Sequence, residues 1–263
     1  MSSWKRRALS ALVSSCLFAG GVAWSTPSFE VTPARLAHGK TVVLVHGFFA
    51  DAGCWSDVIR ILQAAGVRVV AVENPLASLD GDAEATRRVI DAQLGQVVLV
   101  GHSWGGAVIT QAGTNPKVSS LVYVAAFAPD QGMSVDDLLA GRPPAPWQAT
   151  IVADDSGDLS LTAAGYLTYF APDVPVRRAR ALSAEQGSTF GGLTGEPVSQ
   201  VAWRAKPSWY VLAEDDQMIA PDLQRSMSTL MNAHVTAVRS SHVVMISHPE
   251  VVAAVILEAA LAR

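Results

Sequence analysis

The chain of 263 residues has only two cysteines, Cys16 and Cys54, and charged side chains make up just 16% of it. So few thiols exclude a scaffold built on disulfides. There is no His/Cys/Asp spacing of the kind that holds a metal, and no glycine-rich loop to cradle a phosphate. Neither metal nor cofactor is expected. Internal repeats and low-complexity tracts are missing as well. Lysine and arginine total 19 against 23 aspartates and glutamates, with no basic stripe. That balance excludes nucleic acid and anionic membrane surfaces as partners. What remains is a chain that is 50% hydrophobic, enough for one sizeable core.

The first 25 residues differ from the rest. Lys5-Arg6-Arg7 precedes an apolar run from Ala8 to Trp24, which closes on Ala23-Trp24-Ser25. A charged start, an apolar stretch and a small-x-small end predict a secretory signal peptide cut after Ser25, and export to the periplasm or beyond. An uncleaved anchor is the weaker reading, because the run is marginal for a bilayer and diluted by serine and glycine. Val13-Ser-Ser-Cys16 resembles a lipoprotein box, but apolar sequence follows where a polar tether belongs. Arg6-Arg7 hints at twin-arginine export in a poorly fitting context. Removing the signal takes away three positive charges and no acids. Sixteen basic side chains then stand against 23 acidic ones, a net charge near −7. No stable membrane insertion is expected of that chain. Cys54 is its only cysteine and reads as a buried, inert thiol.

Beyond an irregular lead-in over 26–39, strand and helix patterns alternate. Thr41 to His46 is a nearly all-apolar, β-branched run, the pattern of a strand buried on both faces, and Val67 to Val72, Gln96 to Val100 and Lys117 to Ala126 read as the strands that follow. Helix-spaced segments lie between them, Trp55 to Ala65 and Ala83 to Leu94, each stopping at a glycine. This alternation with short connections predicts βαβ units and a mostly parallel sheet in one domain over 26–263. The rhythm breaks from about 129 to 200, where seven of the 14 prolines fall. Two short helices are predicted there, Thr162 to Phe170 and Pro175 to Gln186. The aromatics Trp147, Tyr166, Tyr169, Phe170 and Phe190 favour a mainly helical cap over an ordinary surface excursion. The rhythm then resumes with a strand at Ser208–Ala213, a helix at Pro221–Met231, a strand at His234–Val238 and a closing helix at Pro249–Leu261.

Chemistry enters at Val98-Leu-Val-Gly-His-Ser-Trp-Gly-Gly106, where an apolar strand runs into Gly-x-Ser-x-Gly. On a strand-to-helix turn this motif strains the serine backbone and pushes its hydroxyl out above the sheet. The helix that follows would aim its amino-terminal amides at an oxyanion formed on Ser103. A serine nucleophile needs a base, and the base needs an orienting carboxylate. Both belong in loops beyond the carboxyl ends of strands. His242 follows the last strand and is the candidate base. His248 reads as a surface cap of the closing helix, His102 as packed under the serine turn, and His46 as a brace for its own loop. His38 and His234 read as solvated. Glu214, Asp215 and Asp216 are adjacent after Ser208–Ala213. Spacing to the helix start at Pro221 favours Asp216 as the acid, with Asp215 the alternative. The oxyanion donors are the N–H groups of Trp104 and Phe48, with Gly47 letting the backbone approach. Phe49, Trp147, Tyr169 and Phe170 are candidates for an apolar substrate pocket, and Phe49 fits core packing equally well.

These segments, together with His46-Gly-Phe-Phe-Ala-Asp-Ala-Gly-Cys-Trp55, Trp203 to Tyr210 and Ser241-His-Val243, resemble α/β-hydrolase-fold carboxylesterases. The closest group is the bacterial esterases similar to plant methylesterases and hydroxynitrile lyases. The resemblance spans the chain from residue 26 onward, more loosely in the cap. It implies the α/β-hydrolase fold, a triad of Ser103, Asp216 and His242 in that fold's chain order, and support for Phe48 and Trp104. Hydroxynitrile lyases carry lysine after the histidine and threonine after the first-loop histidine, where this chain has Val243 and Gly47. Both departures favour ester hydrolysis. Haloalkane dehalogenases use aspartate at the position of Ser103, and cofactor-free haloperoxidases share the triad. The expectation is a cofactor-free hydrolase of small or medium hydrophobic esters. Amide, lactone or carbon–carbon bond cleavage and perhydrolysis are the alternatives, and a non-catalytic binding protein is the remote one.

Overall fold

The computed structural model describes residues 39–262. The signal-peptide reading of residues 1–25, with Cys16, lies outside the described residues, as do His38 and nearly all of the lead-in.

Six strands form one sheet: β1 (Thr41–Val45), β2 (Arg68–Val72), β3 (Val97–His102), β4 (Val118–Val124), β8 (Ser208–Ala213) and β9 (His234–Val238). Their order is β2-β1-β3-β4-β8-β9, and every pairing is parallel. The expected α/β-hydrolase architecture is borne out, and the sheet is parallel throughout. β1, β3 and β8 are buried at every residue, whereas the edge strands β2 and β9 are half-exposed. Covered on both faces, the inner strands can afford no polar alternation.

Successive side chains point to opposite faces and so feed two cores. Val42 and Leu44 pack with Val58 and Leu62 of α1 (Ser56–Ala64) and with Val252 and Ile256 of α9 (Pro249–Leu261). Val43 and Val45 pack with Leu79 and Ile90 of α2 (Leu79–Asp91), Val108 and Ile109 of α3 (Gly105–Ala112), and Met227 of α7 (Pro221–Leu230). α2 starts four residues before the predicted Ala83, because the Ser78 side chain caps it by accepting from Gly81 N–H. It also ends three residues before the predicted Leu94, which is left 95% exposed.

The insertion between β4 and β8 contains α4 (Val135–Leu139), α5 (Ala163–Gly165) and α6 (Val176–Glu185). The segment predicted as one helix from Thr162 to Phe170 is α5 followed by a π-helical turn, Tyr166–Phe170. A three-stranded antiparallel sheet of β5 (Ile151–Ala153), β6 (Asp158–Leu161) and β7 (Thr189–Phe190) adds strands to a cap expected to be mainly helical. Strands of two to four residues are too short to carry a readable alternation. Among the described residues no helix is long and apolar enough to cross a membrane.

The strand order reverses at β1. The loops leaving β1 and its neighbour β3 therefore diverge above the carboxyl edge of the sheet and open the crevice where ligands bind in such folds.

Candidate active site

Ser103 follows β3 with φ +53°, a left-handed backbone that costs a serine strain. Neighbouring backbone holds it there. Ser103 N–H donates to Val124 O at 3.3 Å, and Ser103 O accepts from Gly106 and Phe127 N–H at 3.0 and 3.1 Å. The turn has no room for side chains, since a Cβ on Gly101 would lie 2.4 Å from Gly105 O and one on Gly105 2.5 Å from Val45 O.

Asp216 leaves the end of β8 and turns inward, where its side chain is fully buried. Oδ1 accepts from Met218 N–H at 2.7 Å and Ile219 N–H at 3.1 Å. Oδ2 accepts from Gln224 Nε2 at 2.8 Å and faces His242 Nδ1 at 2.8 Å. A carboxylate there keeps the proton on Nδ1 and leaves Nε2 basic. Its neighbour Asp215 stays exposed, with its carboxylate 3.8 Å from Arg239, so of the adjacent acids Asp216 is the one brought to the histidine. Gln224, from α7, also donates to Ile219 O and accepts from Ala213 N–H, which fixes the Asp216 loop to β8. Sequence reasoning passed over it. The available signal was a polar residue one helical turn from the buried Met227.

His242 is 1% exposed. His102, beside the serine, places Nε2 3.0 Å from His242 O and its ring centroid 4.6 Å from that of His242, so it joins the two loops. Burial, with the nearby His242, holds the His102 pKa well below the usual imidazole value. Neither contact engages His242 Nε2, and among the described residues Ser103 Oγ makes no hydrogen bond.

On the β1 side, His46 braces its loop as expected. Nε2 accepts from Asn74 N–H at 2.9 Å, Nδ1 meets Gly47 O at 2.9 Å, and Asn74 Nδ2 donates to His46 O at 2.8 Å. Among the described residues neither Phe48 N–H nor Trp104 N–H donates to a backbone acceptor. The Phe48 and Trp104 rings stack at 4.9 Å. The Trp104 indole N–H donates to Asp82 Oδ2 at 2.8 Å, and Asp82 Oδ1 accepts from Leu76 N–H at 2.8 Å. Burial pushes the Asp82 carboxyl up, more than these hydrogen bonds bring it down. Asp82 was another residue that sequence reasoning did not find.

The cap brings aromatics to this group. Phe170 lies edge-on to His242 at 5.3 Å and to Phe49 at 6.3 Å, and Trp147 lies edge-on to Phe49 at 6.3 Å while donating to Met218 O at 3.1 Å. Tyr169 is half-buried against the same apolar cluster, and the buried Tyr166 ring lies 4.6 Å from that of Phe170. His248 precedes α9 without a side-chain capping bond, and its Nδ1 lies 3.8 Å from Glu250 instead. His234 is exposed and stacks on Trp209. Cys54 is buried, and burial raises its thiol well above the usual value. A surface cleft of about 680 Å³ between Lys40, Pro116, Pro207 and Ala262 lies at the opposite, amino-terminal ends of the strands, away from all these groups.

Over residues 42–255 the chain matches the alpha/beta hydrolase family. Methylesterase 2 of Arabidopsis thaliana is 28% identical over 222 residues, covering 70% of this chain and 81% of that protein. A carbendazim hydrolyzing esterase of a Nocardioides species is 38% identical over 111 residues, 37% of this chain and 46% of that one. The crystal structure of a pyrethroid hydrolase from Sphingobium faniae is similar with a TM-score of 0.72 at 23% identity, over 84% of this chain and 97% of that one. That last likeness is one of fold.

Proposed function

The chain belongs to the alpha/beta hydrolase family, and on that premise we propose that it is a serine carboxylesterase acting on small or medium hydrophobic esters. The observation that carries the reading is the buried Asp216–His242 pair, 2.8 Å apart, tied through His102 to a serine at φ +53°. His242 Nε2 takes the proton of Ser103 Oγ as that oxygen attacks the ester carbonyl, through a hydrogen bond that forms on substrate binding. Asp216 orients the ring and stabilises the imidazolium. The N–H groups of Phe48 and Trp104 bind the tetrahedral oxyanion. When the carbon–oxygen bond breaks, the alcohol leaves with the proton from His242. Water, deprotonated by His242, then releases the acid and restores Ser103.

Relatives named as esterases support this chemistry. The aromatic side chains grouped around His242 and Trp104 (Phe48, Phe49, Trp147 and Phe170) suit an apolar ester rather than a charged one. Val243, fully buried after His242, offers no cation to hold a cyanide leaving group. The test is turnover of p-nitrophenyl esters of increasing acyl length, with phosphonate labelling, for the wild type beside Ser103→Ala. Turnover and label lost together in the variant are expected. A folded wild type that neither hydrolyses nor takes label, or a fully active Ser103→Ala, would end the reading.

A further inference from the structure

Between β9 and α8 (Val244–Ser247), the segment that carries His242 has no regular structure of its own to hold it. From the core, Asp216 restrains the ring, His102 Nε2 meets His242 O at 3.0 Å and Asp215 N–H donates to Ser240 O at 3.1 Å. A cap residue holds the segment from the other side. Asp173, between the π-helical turn and α6, reaches across to the two residues before His242. Its Oδ2 accepts from Ser241 N–H at 2.8 Å and from Ser240 Oγ at 3.0 Å, and its Oδ1 accepts from Ser241 Oγ at 2.5 Å. Ser240 Oγ also meets Ser247 Oγ at 2.7 Å, which extends the contact to the end of α8.

One carboxylate thus collects three donors from adjacent residues, both of which are 2% exposed. Donors so buried find no ready substitute in water, and a charged acceptor makes each bond strong. The same cap segment supplies Phe170, which packs against the His242 ring at 5.3 Å. The two residues before the histidine and its ring are therefore held from the cap, while Asp216 holds the ring and His102 the His242 carbonyl from the core.

Given the reading of His242 as the general base, we propose that Asp173 is a positioning residue that fastens the His242 loop to the cap and aims the imidazole at Ser103. The cap then serves the chemistry directly, beyond covering the site. Partial burial pushes the Asp173 carboxyl up, but the hydrogen bonds from Ser241, then Ser240 and Ser247, outweigh this and hold it below its usual value. The strap is accordingly charged across the neutral range.

The test compares wild type, Asp173→Ala and Asp173→Asn on a p-nitrophenyl ester, and follows the low-field Nδ1–H resonance of His242 by NMR. In Asp173→Ala, kcat should fall by up to about 10²-fold with KM little changed, the expected effect of misaiming a catalytic group by about 1 Å. The resonance should broaden. Asp173→Asn keeps an acceptor for Ser241 N–H and offers Ser241 Oγ a donor, so it should restore most of both signals. Wild-type kcat with a sharp resonance in Asp173→Ala would overturn the proposal. So would an asparagine variant no better than alanine. If Asp173→Ala does not fold, Ser241→Ala removes one of the three donors and should move the same readouts by less; unchanged values there would also overturn it. A wild type inactive on every ester would count against the esterase reading instead, because the resonance needs no substrate.

Discussion

Gly47→Ala adds a single methyl where the β1 loop passes the serine. A Cβ at residue 47 would lie 2.6 Å from Ser103 Cβ, 2.9 Å from His102 O and 3.2 Å from Ser103 Oγ. Carbon atoms rest at about 3.5–4.0 Å, so the methyl overlaps its nearest neighbour by roughly 1 Å. Neither nearest obstacle is a flexible tip: one is backbone and the other is the Cβ of a residue locked at φ +53°. The loop must therefore retreat by about 1 Å, and it carries the Phe48 N–H with it. Overpacking of this kind costs about 1–3 kcal/mol of stability. On the proposed reading of Phe48 N–H as an oxyanion donor, misplacing it costs on the order of 10²-fold in rate, and because that bond strengthens in the transition state the loss should fall on kcat. The assay is kcat and KM on a p-nitrophenyl ester beside a thermal melt. A folded Gly47→Ala with wild-type kcat would refute the argument.

Other perturbations separate the neighbours of the site. Asp216→Asn should lower kcat by about 10⁴-fold, since an amide cannot hold the Nδ1–H tautomer, whereas Asp215→Asn should behave as wild type; the reverse order would assign the acid to Asp215. Asp82→Asn turns an amide N–H toward either the Trp104 indole or Leu76 N–H and orphans one buried donor. A loss of about 1–3 kcal/mol is expected in urea unfolding, and an unchanged midpoint would contradict it. For Asp57 on α1, burial pushes the carboxyl up, but hydrogen bonds and charge from Arg178 of the cap and from Arg60 bring it below its usual value. A carboxyl depressed in the folded state stabilises above its unfolded pKa and loses that contribution as pH falls through the folded one. Asp57→Asn should therefore flatten the acid side of the stability profile, and an unaltered slope in denaturant titrations at stepped pH would argue against the pairing.

Much of the fold can be read from the chain because buried parallel strands must be apolar along their whole length. β8, buried at every residue, falls on the predicted Ser208–Ala213, and α9 spans the predicted Pro249–Leu261. Ser103 stood out because its motif is local: strand, glycine, serine, glycine and helix are contiguous. The cap sheet did not stand out, because its strands have two to four residues each. Asp173 and Asp82 were equally silent. Each is a single polar residue, and its key partner lies elsewhere in the chain: Asp173 meets Ser241 68 residues on, and Asp82 meets Trp104 22 residues on.

The sequence by itself determined the order of the elements, the glycine–serine turn after β3 and the short list of acids and histidines from which a site can be drawn. Only the tertiary structure decided which acid turns inward, that Phe170 rather than Tyr169 faces His242, and that a cap carboxylate holds the histidine loop. The reason is physical. Hydrophobic periodicity is set by near neighbours, whereas burial and hydrogen-bond satisfaction of a lone polar side chain depend on whatever distant segment the fold packs against it.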